Sequence, residues 1–190
     1  SMAVEVGSLE NPQDREGIAH FLEHMLFLGT EKYPDVDEYS TYLKTNGGMS
    51  NAYTARDHTN YQFQVLPDAL EGALDRFSQF FIGPLFTEEY TAREVNAVNS
   101  EYQKNIMSDG WRQFRMNGLF ANKSHPAAKF NIGNLETLGD IDRTELIDFY
   151  REQYSANRMG LAMLSTHSLD EMEQWARKYF SAIENRELPR

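Results

Sequence analysis

The chain has no cysteine in its 190 residues. That excludes disulfides, thiolate nucleophiles and every cysteine-based zinc site, so a metal held here must be gripped by histidine and carboxylate. No apolar run approaches the length needed to span a bilayer, which argues against a membrane-embedded role. Basic residues are scarce: 18 Lys and Arg stand against 29 Asp and Glu, for a net charge of −11. A nucleic-acid partner is therefore not expected, because neutralising phosphates needs basic patches. There is no Gly-rich phosphate loop, no low-complexity tract and no internal repeat. The length suits one domain, 1–190, with a real core. The opening Ser1-Met2 without a signal peptide, and the linker-like Glu187 to Arg190, read as the ends of one excised module.

Periodicity divides the chain into an α+β pattern. Strands are expected at Met2 to Gly7, Ser50 to Thr54, Thr59 to Val65 and Met159 to Leu164. Helices are expected at Asp14 to Leu28, where Ile18, Phe21, Leu22, Met25 and Leu28 recur at helical spacing, and at Asp35 to Asn46. Others follow from Pro67 to Phe81, Thr87 to Met107, Asp109 to Asn122, Arg143 to Tyr154 and Leu169 to Ile183, with a loop over Ser124 to Gly139. Such strands must find one another across intervening helices. The expected architecture is two-layered: a mostly antiparallel sheet with helices packed on one face.

The chemistry concentrates in His20-Phe21-Leu22-Glu23-His24. On a helix, positions i and i+4 stand one above the other, so both imidazoles face one space, and Glu23 at i+3 from His20 shares it. That arrangement suits two metal ligands and one carboxylate that holds a metal-bound water. A catalytic zinc needs a third protein ligand and one open position. Without cysteine the third is His, Asp or Glu, and the long helix over 87–107 offers Glu94 and Glu101, two turns apart on nearly one face. Spacing leaves both open. The remaining histidines fit turn, loop and cap positions at His58, His125 and His167.

The inverted motif His20-x-x-Glu23-His24 resembles that of the inverzincins, and the chain resembles the amino-terminal domain of the pitrilysin and insulin-degrading-enzyme family, peptidase family M16. The likeness runs through Gly7-Ser8-Leu9, His20 to Gly29, Lys32-Tyr33-Pro34, Ser50-Asn51-Ala52 and His58-Thr59-Asn60-Tyr61. It continues in Leu70 to Phe77, Glu94 to Val98, Ser100-Glu101, His125-Pro126 and Gly133-Asn134-Leu135. The resemblance implies one Zn2+ held by His20, His24 and Glu101, with Glu23 as general base and Glu94 as a nearby carboxylate needed for activity. It implies a zinc metalloendopeptidase hydrolysing peptides through a zinc-bound water, with the substrate added as a strand to the edge Ser50 to Thr54, where Asn51 and Ala52 would supply the main-chain contacts.

By the same resemblance the working enzyme is several-fold longer. A carboxy-terminal half closes over the substrate, and this piece binds zinc but cleaves weakly or not at all. A sheet edge left unpaired would be open to self-association. The alternative is a non-catalytic member serving as a binding or scaffold module. The family implies either the bacterial periplasm or the cytosol, and Gly133 to Leu138 leans toward a bacterial, pitrilysin-like member.

Overall fold

Alternating apolar and polar residues build the centre of the computed structural model, which describes residues 1–189. Its sheet has four strands, β1 (Met2–Val4), β2 (Met49–Thr54), β3 (Thr59–Gln64) and β4 (Met159–Leu161), in the order β2-β3-β1-β4. Every neighbouring pair is antiparallel. Met2 faces Tyr61 on one side and Leu161 on the other, so the first strand joins the hairpin to the last strand. The hairpin runs in register from Met49↔Gln64 to Thr54↔Thr59. Its two-residue loop, Arg56-Asp57, is closed by Ala55 N–H donating to His58 O at 2.8 Å. Met2, Val4, Thr59 and Tyr61 are buried on one face, while Gln62 and Gln64 are exposed on the other. Strand period and burial therefore agree, and the helices cover the apolar face.

The helices are α1 (Ile18–Met25), α2 (Glu38–Thr45), α3 (Leu70–Ser78), α4 (Glu88–Asn105), α5 (Asp109–Phe120), α6 (Leu135–Leu138), α7 (Arg143–Gln153) and α8 (Leu169–Phe180). The first is shorter than its apolar period suggests. Gly17, at φ 97°, turns the chain into the helix, and Gly29, at φ 90°, turns it away beyond. Both are left-handed conformations that glycine adopts without steric cost. The second helix starts three residues later than expected, because Asp35 accepts the N–H of Asp37 at 2.9 Å and makes a turn of that stretch. The segment expected as a loop over 124–139 contains α6. Asn134 accepts the N–H groups of Glu136 and Thr137 there, and the Thr137 hydroxyl takes the N–H of Asn134, a reciprocal cap. The last strand stops at Leu161, short of Leu164.

Ile18, Phe21, Leu22 and Met25 of α1 are 1% exposed or less, so this helix lies inside the helical layer. Burying each such side chain is worth about 1.5–3 kcal/mol, which is why a helix bearing three titratable side chains can be held at the centre of the domain. The helix packs against α4 on one side and β2 on the other.

Candidate metal centre

One turn of α1 sets His20 over His24, with ring centroids 4.7 Å apart and planes at 80°. Each ring is oriented from behind. His20 Nδ1–H donates to the carbonyl of Ile132 at 2.8 Å, and His24 Nδ1–H donates to Glu94 Oε1 at 2.8 Å. Neither acceptor donates in these contacts, so both Nδ1 atoms carry a proton and both Nε2 atoms are turned forward. The two Nε2 atoms lie 3.3 Å apart. Glu101 Oε2 approaches them from α4, 3.6 Å from His20 and 3.5 Å from His24.

Those three spacings form a nearly equilateral triangle. Zinc bonds of about 2.05 Å in a tetrahedron require ligand atoms about 3.3 Å apart, so these side chains fit such an ion without rearrangement and leave a fourth corner free. The donor set, two imidazole nitrogens and a carboxylate oxygen, is also one that zinc accepts. Among the described residues these three side chains form the only group of His, Asp and Glu with ligand atoms close enough to hold a metal ion.

The electrostatics agree. His20 is held below its ordinary value, first by burial and then by the neighbouring positive His24. Burial pulls His24 the same way, but Glu101 and Glu94 outweigh it together and push it up to about 9. Glu101 lies below the usual carboxylate range because of its contact with His24. A single proton on one of two facing imidazoles, next to two carboxylates, sits where a cation is wanted.

The backbone behind His20 depends on two glycines. Gly17 and Gly133 pack main chain against main chain, with φ of 97° and 88°, and a Cβ on Gly17 would run into Gly133 Cα. This contact brings the 131–133 segment down onto α1 and delivers the Ile132 carbonyl to the imidazole.

Glu23 does not join the triangle. It is 6% exposed and accepts a hydrogen bond from Thr54 Oγ1 on Oε2 at 2.5 Å. Burial pushes it up to about 7, the range in which a carboxylate both takes and returns protons at neutral pH.

All of these groups line one cleft of about 610 Å³, with Phe27, Trp111 and Asn131. Five consecutive residues of β2, Ser50 to Thr54, border it. Alternating side chains cannot do that from one face, so the strand presents its edge. Ala55 bonds to His58 across the hairpin, and antiparallel bonding alternates. Met49, Asn51 and Tyr53 therefore direct their main-chain groups to β3, and Ser50, Ala52 and Thr54 direct theirs outward to the cleft.

The residues singled out in the sequence thus meet in one place: His20, Glu23, His24, Glu94, Glu101, Asn51 and Ala52 all line the cleft. Asn51 and Ala52 differ in what they offer, a side chain in the first case and a free main chain in the second. The other histidines lie elsewhere, His58 against Asp57, His125 capping a turn at Ala127, and His167 against the carbonyl of Pro67. Sequence reading missed Thr54 and Ile132. A carbonyl leaves no trace in a side-chain motif, whereas the alternation of β2 could have put Thr54 on the Glu23 side.

Known proteins resemble this chain over nearly its whole length. The family model described as Insulinase (Peptidase family M16) matches residues 1–122, and the model described as Peptidase M16 inactive domain matches residues 140–190. All the side chains of the triangle, with Glu23 and Glu94, fall in the first stretch. The chain is 50% identical over 98% of its length to a putative zinc protease of Schizosaccharomyces pombe, covering 20% of that protein. It is 47% identical, over its whole length, to the insulin-degrading enzyme of Homo sapiens, covering 19% of it. A crystal structure of pitrilysin superimposes with a TM-score of 0.95 over 99% of this chain and 20% of that one, at 40% identity. The chain spans about one fifth of the length of the relatives it matches.

Proposed function

Because the chain belongs to the insulinase family, peptidase family M16, we propose that it is the zinc-binding catalytic module of a metalloendopeptidase, acting as a single unit over 1–190. One observation carries the reading: three ligand atoms at 3.3, 3.5 and 3.6 Å, with a buried carboxylate beside them. His20, His24 and Glu101 would hold the ion. When bound, zinc supplies a Lewis acid that acidifies water and polarises a peptide carbonyl.

The protein does the rest. Glu23 takes a proton from the attacking water and returns it to the leaving amine, a two-way task for which a value of about 7 suits it. Glu94 and Ile132 fix the rings of His24 and His20, so the Nε2 atoms remain converged. The open edge of β2 receives an extended peptide, with Ser50, Ala52 and Thr54 supplying main-chain bonds and Asn51 a side chain at the rim. Since relatives are about five times longer, the remainder of such an enzyme would close the cleft from above. The isolated module then binds zinc but cleaves weakly.

Zinc content and peptide hydrolysis in the complete enzyme test the reading. Wild type should retain one zinc and cleave. Glu23→Gln should retain zinc and lose activity, and His24→Ala should lose both. A Glu23→Gln enzyme that still cleaves removes Glu23 from the role of base.

A further inference from the structure

Thr54 belongs to two parts of the cleft at once. It closes β2 opposite Thr59, where the ladder alternation turns its N–H and C=O toward the open edge. Its side chain points into the helical layer and reaches Glu23.

Counting hydrogens fixes the direction of that contact. A threonine hydroxyl has one hydrogen to give. Two oxygens lie near Thr54 Oγ1: Glu23 Oε2 at 2.5 Å and Thr59 Oγ1 at 3.4 Å. The Thr59 hydroxyl is already committed to the carbonyl of Val6 at 2.8 Å. Thr59 Oγ1 could still accept, but at 3.4 Å it is far beyond the carboxylate oxygen at 2.5 Å, and the Thr54 hydrogen goes to Glu23. Among the described residues no other group donates to Glu23. A buried carboxylate with a single fixed donor has one oxygen pinned, and its other oxygen is left to the cleft.

We propose that Thr54 is the positioning residue for Glu23, holding one carboxylate oxygen from the strand position whose main chain also receives the peptide. Seating an extended substrate on β2 and aiming the base are then one event. The inference rests on the reading of Glu23 as base and of β2 as the peptide edge. It adds that β2 sets the rate as well as the affinity.

Thr54→Val and Thr54→Ser in the complete enzyme separate the alternatives. Valine keeps the branched shape and the main-chain edge but lacks the hydroxyl. It should lower kcat about tenfold or more, since misaimed bases lose much of their contribution. KM should stay within about twofold, with zinc content unchanged. A crystal structure of the variant should show the Glu23 carboxylate rotated away from its wild-type position. Serine should restore kcat to within about threefold. If valine disturbs folding, Thr54→Ala against Thr54→Ser repeats the comparison with the hydroxyl as the sole difference.

An unchanged kcat in the valine or alanine variant overturns the proposal. So does an equal fall in kcat for serine and valine, which would mark a packing role. In both cases an inactive Glu23→Gln leaves the base reading standing. An active Glu23→Gln overturns the base reading and this inference with it.

Discussion

Replacing Glu23 by Gln should make the metal-free protein more stable, and only above mildly acidic pH. The carboxyl is 6% exposed, and burial raises it from 4.5 to about 7. For an acid raised on folding, the sign is unfavourable. Below pH 4.5 it is neutral in both the folded and unfolded chain and costs nothing. As pH climbs to about 7 the unfolded chain ionises first, and above that the folded state carries the full cost. The gap of about 2.5 pH units corresponds to about 3 kcal/mol. Glutamine has no charge to bury and can still accept from Thr54, but its amide N–H groups gain no assured partner, a loss of about 1 kcal/mol. The net gain at pH 8 is about 2 kcal/mol, which for a chain of this size raises Tm by about 4–8 °C. Calorimetry of the chelated protein at pH 8 and pH 4.5 measures it. The variant should melt higher than wild type at pH 8 and slightly below it at pH 4.5, where the charge cost has gone and only the unpartnered amide remains. A variant no more stable at pH 8, or equally stabilised at both pH values, would refute the argument that burial of this carboxyl is an expense met for function.

Three other outcomes follow from the same geometry. Glu101→Gln removes a corner of the triangle, whereas Glu94→Gln only loosens the His24 ring. Zinc retained after dialysis should fall to near zero in the first, and zinc affinity about 10–100-fold in the second. Full occupancy in Glu101→Gln would move the third ligand elsewhere. Asp75 is bound by Lys32 Nζ at 2.6 and 2.7 Å and by Tyr33 OH at 2.8 Å. Burial raises it, but these partners outweigh burial and hold it below its ordinary 3.8. Its stabilisation is therefore present above that value and lost as pH falls through the lower folded one. With Lys32 half-exposed the ion pair is worth about 1 kcal/mol or less. Asp75→Asn should melt a few degrees below wild type at pH 6, and the two curves should converge near pH 2.

Much of this centre could be read from the chain because helical spacing is geometry. His20, Glu23 and His24 had to share a face, and they do. The strands at 49–54 and 59–64 were legible because their alternation matches the pleat. Spacing did not choose a third candidate ligand, since Glu94 and Glu101 lie on one face of α4, and only the family resemblance pointed to Glu101. In three dimensions both reach the histidines, one at the Nε2 side and one behind at Nδ1. The limits of α1 also escaped, because its apolar period runs past the point where Gly17 and Gly29 turn the backbone. The α6 turn was hidden in a polar stretch, although Asn134 and Thr137 stand at capping distance.

The meeting of Gly17 with Gly133 has a bearing on how members of this family can be told apart. Neither residue has a side chain, and neither would register in a search for ligands. Yet an alanine at Gly17 would drive its Cβ into the Gly133 backbone, lift the strap that carries the Ile132 carbonyl and let the first imidazole swing. A relative that preserves both histidines and all three glutamates but has lost this bare-backbone crossing is expected to grip its ion on a slack hinge. Its motif would look intact while its chemistry failed.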